Sequence, residues 1–236
     1  MSQCATCHAG CCRTYVVPLT GADIMQIISR QKLSFWDFAC RWADPDGTIA
    51  LKYAPHFYFP DQPHTPYVIS LIQEYSSHFP GTTRCKFLAE GAPTGENPLG
   101  ISHCGIYGER PSACRVFPTK FDRSGELAVL CDVPAAGKNG SHPVYQLCPR
   151  SWKPDDLDPV QQVQDLVVAK YEMSFFFKLA AAWNARPGEW KLFPKFLQMV
   201  YAQRILGQEA GREDEELEFE HATNEDESVR FPRLAA

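Results

Sequence analysis

The first stretch of chemical interest is CATCHAGCC, which sets Cys4, Cys7, Cys11 and Cys12 within nine residues. A Cys-x2-Cys loop turns two sulfurs back onto one metal at about 2.3 Å, and nearby backbone N–H groups can hydrogen-bond to the thiolates. The adjacent side chains of Cys11 and Cys12 diverge, which suits neighbouring metals or opposite sides of one cluster better than chelation of a single ion. Four more thiols stand in distinctive company: Cys85 in RCKFL, Cys104 and Cys114 in HCGIYGERPSACRVFP, and Cys148 in LCPR. One structural zinc needs four ligands, so eight thiols exceed a single site. Where thiols are kept reduced, such groupings read as metal ligands before they read as disulfides.

The flanking residues carry weaker signals. His8 and His103 each neighbour a cysteine, yet a lone histidine is more often a satisfied polar group than a ligand. Cys40, on an apolar helix face, and Cys131, at a strand end, read as core residues, with Cys131 the reserve ligand. Eight gathered thiolates would carry more negative charge than two divalent metals cancel, so Arg110 and Arg115 are read as guanidinium groups that stabilise the bound metal or cluster from outside its ligand shell. Tyr107 reads equally as packing over that site or as part of its chemistry.

Taken together, these motifs resemble the CxxCxxCC family of zinc- or iron-chelating proteins, the YkgJ-type cysteine-cluster proteins, which are distantly like the flagellin lysine N-methylases. The family pattern joins an N-terminal cysteine cluster to a C-x-F/Y-L element and then to C-x-I-Y-x2-R-P-x2-C-R-x-F-P. The last motif is met at Cys104, Ile106, Tyr107, Arg110, Pro111, Cys114, Arg115, Phe117 and Pro118. One departure is that three residues separate Cys7 from Cys11 where the family name implies two. The resemblance spans roughly residues 4–150 and implies metal binding more strongly than catalysis. No S-adenosylmethionine or nucleotide loop is evident beside it.

Around these residues the sequence predicts an α-rich α+β fold, with an irregular, metal-organised cysteine core and a small hairpin packed against C-terminal helices. LTGADIMQIISR offers Thr20 as N-cap, Asp23 three residues later, and Ile24, Ile27 and Ile28 on one face, the signature of a short helix. LSFWDFACRW repeats the logic with Ser34, Asp37, Phe35, Phe38 and Trp42 and is read as a second one. Asp44 to Pro66 is read as loops with at most short strands such as HFYF, YVISLIQEYSSHF as a possible helix, and TKFDRSGELAVL as a hairpin. Asp158 as cap and Pro159 at the first position open a long, largely buried helix to about Trp183, and Pro194 opens another that ends at Gly207.

The expected organisation is one cysteine-cluster domain, 1–208, with its clusters in 4–150 and its helices in 158–207, followed by an acidic tail, 209–236. That tail holds ten acidic residues against three arginines, net −7 within a chain of −5, which leaves +2 on the body. So mild a basic excess does not support nucleic-acid binding, and no apolar run is long enough for a membrane span. The expected location is cytoplasmic and the expected partner or substrate a protein. Three readings remain open: an iron–sulfur protein with a redox or protein-modifying role, a structural zinc module that binds proteins, and a protein-lysine methyltransferase-like enzyme. The iron–sulfur reading leads because eight thiols and a vicinal pair suit a cluster.

Overall fold

The structure, a computed structural model, describes residues 3–206 except 123, 125, 132–141 and 149. The acidic stretch 209–236 lies outside the described residues. The chain forms two compact units, Met1–Trp190 and Lys191–Ala236. In the first are helices α1 (Cys11–Thr14), α2 (Gly21–Gln31), α3 (Ala50–Tyr53), α4 (Ser112–Val116) and α5 (Pro159–Ala185). Its strands are β1 (Ala39–Ala43), β2 (Phe57–Phe59), β3 (Gln62–Leu71), β4 (Gln73–Tyr75), β5 (Thr83–Cys85), β6 (Leu88–Ala89), β7 (His103–Cys104), β8 (Thr119–Phe121) and β9 (Ala128–Leu130). In the second unit residues 193–206 form α6, with Pro194 in its first turn. The fold is therefore α+β, as the sequence implies, and among the described residues no helix is long and apolar enough to cross a membrane.

A three-stranded antiparallel sheet in the order β1-β3-β2 is the main scaffold. From Tyr67 to Leu71 five consecutive residues of β3 are buried, because both faces of that strand are covered. The possible helix over YVISLIQEYSSHF is corrected here: β-branched Val68 and Ile69 sit in a central strand, paired to β1 with Ala39 opposite Leu71 and Ala43 opposite Tyr67. The helix over LSFWDFACRW is also corrected. Ser34 and Asp37 do form a reciprocal capping box, but it closes a single turn, Phe35–Asp37, after which the chain enters β1. A capping box specifies a first turn; pairing with β3 then decides that the chain continues as a strand.

The arm that carries the first cysteines joins the same sheet. Leu19 N–H donates to Ile69 O at 2.9 Å and Leu71 N–H to Val17 O at 3.0 Å, so residues 17–19 run along the edge of β3 that β1 does not occupy. α2 then begins as expected. Thr20 Oγ1 accepts from Asp23 N–H at 3.1 Å, Asp23 Oδ2 accepts from Thr20 N–H at 2.9 Å, and Ile24 and Ile27 are fully buried.

The long helix α5 is capped by Asp158, whose Oδ1 accepts from the N–H groups of Val160 and Gln161. Leu166, Phe176, Leu179, Ala180 and Trp183 form its buried side, and its contacts include α4, β2 and the β8–β9 hairpin. The expectation of a largely buried helix is corrected: Val160, Val163, Val167, Val168, Tyr171 and Phe177 are exposed. Apolar residues spread around the whole helix do not by themselves mark a face. The β8–β9 hairpin pairs Thr119 with Leu130 and Phe121 with Ala128, as read from the sequence.

Asp23 does more than cap its own helix. Its Oδ1 accepts from Ser112 N–H at 2.8 Å and from Ser112 Oγ at 2.7 Å, so one buried carboxylate anchors the starts of both α2 and α4, and α4 bears Cys114. Asp23→Ala leaves buried donors at both helix starts and should cost about 2–4 kcal/mol. Chemical denaturation measures the loss, and limited proteolysis should show new cleavage near Ser112–Val116; unchanged stability would refute the double anchor.

Candidate metal centre

The cysteine arm opens with a single turn, Gln3–Thr6, and reaches Cys7, which is buried. Ser102 N–H donates to Cys7 O at 3.0 Å and Ala9 N–H to Cys7 Sγ at 3.3 Å, while Cys7 Sγ stands 3.9 Å from Leu147 O. Ala9 takes a left-handed conformation, φ 58°, and turns the chain into α1. Gly10 then passes so close to the segment before Cys148 that an added Cβ would lie 1.7 Å from Gln146 O. On either side His8 Nε2 stands 2.7 Å from the same Gln146 O, and Thr14 Oγ1 donates to Tyr145 O at 2.8 Å. The Nε2 of His8 thus meets a backbone carbonyl, which takes an N–H there and leaves the lone pair on Nδ1. His103 opens β7, beside Cys104.

Short paired elements place the central thiols. Cys85 ends β5, opposite Gln73 of β4. Leu88 of β6 lies opposite Cys104 of β7, and Gly105 N–H donates to Phe87 O at 2.7 Å, so RCKFL and HCGIY become neighbours. Tyr145, in the turn Pro143–Tyr145, accepts from Thr83 N–H through its hydroxyl at 2.9 Å, which ties the approach to Cys148 back to β5. α1 packs against both β5 and that turn. Cys148 Sγ accepts from Trp152 Nε1–H at 3.2 Å.

Electrostatics shows which thiols act on one another. Burial raises Cys85 to about 12, and the neighbouring thiols of Cys104 and Cys11 add to the rise. Burial raises Cys148 to about 11, opposed by the Trp152 hydrogen bond and assisted by Cys11, Cys7 and Cys4. Cys114 is also driven up, by burial first and then by Cys85, Cys11 and Cys104. Cys11 is raised by its hydrogen bond with Cys12 and then by burial. Two interacting sets therefore share Cys11, one with Cys4, Cys7 and Cys148 and the other with Cys85, Cys104 and Cys114.

The two arginines part company. The Arg110 guanidinium stacks 3.8 Å from the Tyr107 ring centroid, and its charge draws Cys104 and Cys114 downward against burial. Arg115 turns to α5, where its Nε lies 3.8 Å from Asp165 Oδ1. Cys40 sits on β1 rather than on a helix, with Sγ 3.5 Å from Ser70 Oγ. Cys131 follows β9 and, like Cys11 and Cys148, acts electrostatically on the phenol of Tyr15.

Among the described residues no three Cys, His, Asp or Glu side chains are gathered tightly enough to hold a metal ion as they stand. What the fold brings together is the set of donor-bearing segments. Their donors are soft sulfurs, which fit zinc or iron and not a hard, oxygen-seeking cation. Cys4, Cys7, Cys11, Cys12, Cys85, Cys104, Cys114 and Cys148 are the residues that could hold it. Sequence reasoning did not find the backbone contacts of Gly10 or the Trp152 bond to Cys148, since neither carries a motif. A family model, CxxCxxCC, described as "Putative zinc- or iron-chelating domain", matches residues 3–132. No curated protein and no solved structure gives a significant match.

The raised thiols fix the sign of a pH effect in the metal-free chain. Unfolded cysteine loses its proton near 9.0, whereas folded Cys85 and Cys148 hold theirs to about 12 and about 11. The unfolded chain therefore releases these protons first, and the stability that they contribute is complete below pH 9.0 and lost as the pH rises through that window. Denaturation of reduced, metal-free protein should show stability falling as the pH rises from 9.0 to about 11; a flat or rising profile would contradict the buried thiols.

Proposed function

This chain belongs to the CxxCxxCC family of zinc- or iron-chelating domains, and from that premise we propose that it holds one multinuclear thiolate centre, an iron–sulfur cluster in the first reading, with a redox or protein-modifying role on a protein partner in the cytoplasm. The observation that carries the reading is the position of Cys11, within electrostatic range of thiols from both groups. Bound iron and sulfide would supply one-electron chemistry that no side chain of the protein provides.

The residues divide the remaining work. The eight cysteines bind as thiolates, so loading the site releases protons and affinity rises with pH. Trp152 Nε1–H orients the Cys148 sulfur, and N–H···S bonds of this kind stabilise sulfur charge. Arg110 offsets part of the charge at Cys104 and Cys114 from the exposed, Tyr107-bearing edge of the site. Short elements such as β5, β6 and β7 lack the apolar area to hold this region by themselves, and metal ligation would supply the missing cross-links. This is the sense in which the core is proposed to be metal-organised. A second reading, two zinc tetrathiolates, is favoured by the division of the thiols into two interacting sets that share Cys11.

Purification without air separates the two. The first reading expects brown protein with iron and acid-labile sulfide, the second a colourless protein with whole-number zinc. Cys12→Ser and Cys114→Ser should each lose most of the metal, and their combination little more, because either opens the same centre. Separate whole-number losses that sum in the double variant would overturn the single centre in favour of independent zinc sites.

A further inference from the structure

Glu90 follows β6 and belongs to none of the motifs above. Its side chain is 4% exposed, and it receives positive charge from two directions. Arg13, the residue after Cys12, brings Nη1 to 2.7 Å from Oε1 with a side chain that is fully buried. Arg84, the residue before Cys85, brings Nε to 3.2 Å from Oε2. Neither contact is aligned as a hydrogen bond, so charge at short range holds the trio together. Ser76 Oγ and Ser77 N–H complete the carboxylate at 2.6 and 2.8 Å.

Both guanidinium groups are fixed from behind. Arg13 lies over the Phe79 ring at 5.2 Å, and Arg84 Nη1 donates to the carbonyls of Cys85, Lys86 and Leu88. The last of these is opposite Cys104 across the β6–β7 pair. One buried carboxylate thus stands where three segments meet: α1 with Cys11 and Cys12, β5 with Cys85, and the β6–β7 pair with Cys104.

We propose that Glu90 is the positioning residue of the metal centre, holding the α1 and β5 cysteines in register through Arg13 and Arg84 before any metal arrives. The proposal rests on the thiolate-centre reading for its ligand and on the described contacts for its geometry. An ion pair that only stabilised the fold could sit anywhere; here each cation is the immediate chain neighbour of a proposed ligand, so movement of the guanidinium moves the sulfur. Neutralising the carboxylate leaves the buried Arg13 without its counter-charge, while Arg84 keeps Glu74 at 3.3 Å, so the charge that joins the two arginines is lost and α1 is free to draw away from β5.

Cobalt(II) alone is a suitable probe, because its thiolate charge-transfer absorption grows with the number of sulfurs bound. In the full chain, Glu90→Gln should bind cobalt about 10–100-fold more weakly than wild type and with less charge-transfer intensity per cobalt. Glu90→Asp, which keeps the charge on a shorter stem, should recover much of the affinity. In the metal-free proteins, amide hydrogen exchange over residues 7–14 should be faster in Glu90→Gln and nearer to wild type in Glu90→Asp. Wild-type cobalt affinity and spectrum in Glu90→Gln overturn the proposal, whatever that variant's melting temperature. Should Glu90→Gln fail to fold, equal loss in Glu90→Asp, folded but without recovered binding, overturns it instead. Failure of the wild-type chain to take up cobalt through sulfur sinks the thiolate-centre reading and the positioning role with it, whereas normal wild-type uptake with an unaffected Glu90→Gln sinks this proposal alone.

Discussion

The close passage of the Gly10 backbone over Gln146 is the constraint on which the rest of the site depends. A Cβ at position 10 would meet the Gln146 carbonyl oxygen at 1.7 Å, so only glycine lets the arm lie flat there. His8 and Thr14 bond the same strip of backbone on both sides of that contact, and Ser102 holds Cys7 from another direction. Residues more than 130 positions apart in sequence are thereby brought to van der Waals distance before any ligand is considered. With the arm in place, Cys7 faces Leu147, Cys11 and Cys12 sit at the head of α1 against β5, and residues 17–19 continue into the sheet.

That closure creates an electrostatic problem which a thiophilic cation solves. Cys11 lies within electrostatic range of Cys85, Cys104, Cys114 and Cys148, and burial with mutual repulsion keeps Cys85, Cys114 and Cys148 protonated above the usual thiol range. A protein that assembled so many buried thiols without a metal would gain only small hydrophobes there, and ordinary aliphatic packing would serve as well. The cationic groups nearby have separate tasks. Arg110 acts on Cys104 and Cys114, whereas Arg13 is committed to Glu90 and Arg84 divides its charge among Glu90, Glu74 and the Cys85 thiol.

Much of this was legible where the signal is local. The Thr20–Asp23 box, the Asp158–Pro159 start of α5 and the β8–β9 hairpin all depend on hydrogen bonds within a few residues, and each forms as its residues indicate. The cysteine motifs likewise named the segments that the fold brings together. Signals that depend on a distant partner were not legible. Ser34 and Asp37 bond as a box should, yet β3 takes the following residues as a strand, and Val68 and Ile69 reveal their role only as the middle of that sheet. Asp23 showed one of its two helices, because the bond to Ser112 spans 89 residues. Arg115, placed with Arg110 by motif alone, turns to Asp165 because α5 packs over α4.

The most direct test of the central claim is the coordination shell of the metal in protein purified without air. X-ray absorption at the edge of whichever metal is present, iron or zinc, should show a first shell made of sulfur at about 2.3 Å, with a second metal beyond it. A shell dominated by nitrogen or oxygen at about 2.0–2.1 Å would contradict the account, since the proposed cysteines would then not be the ligands.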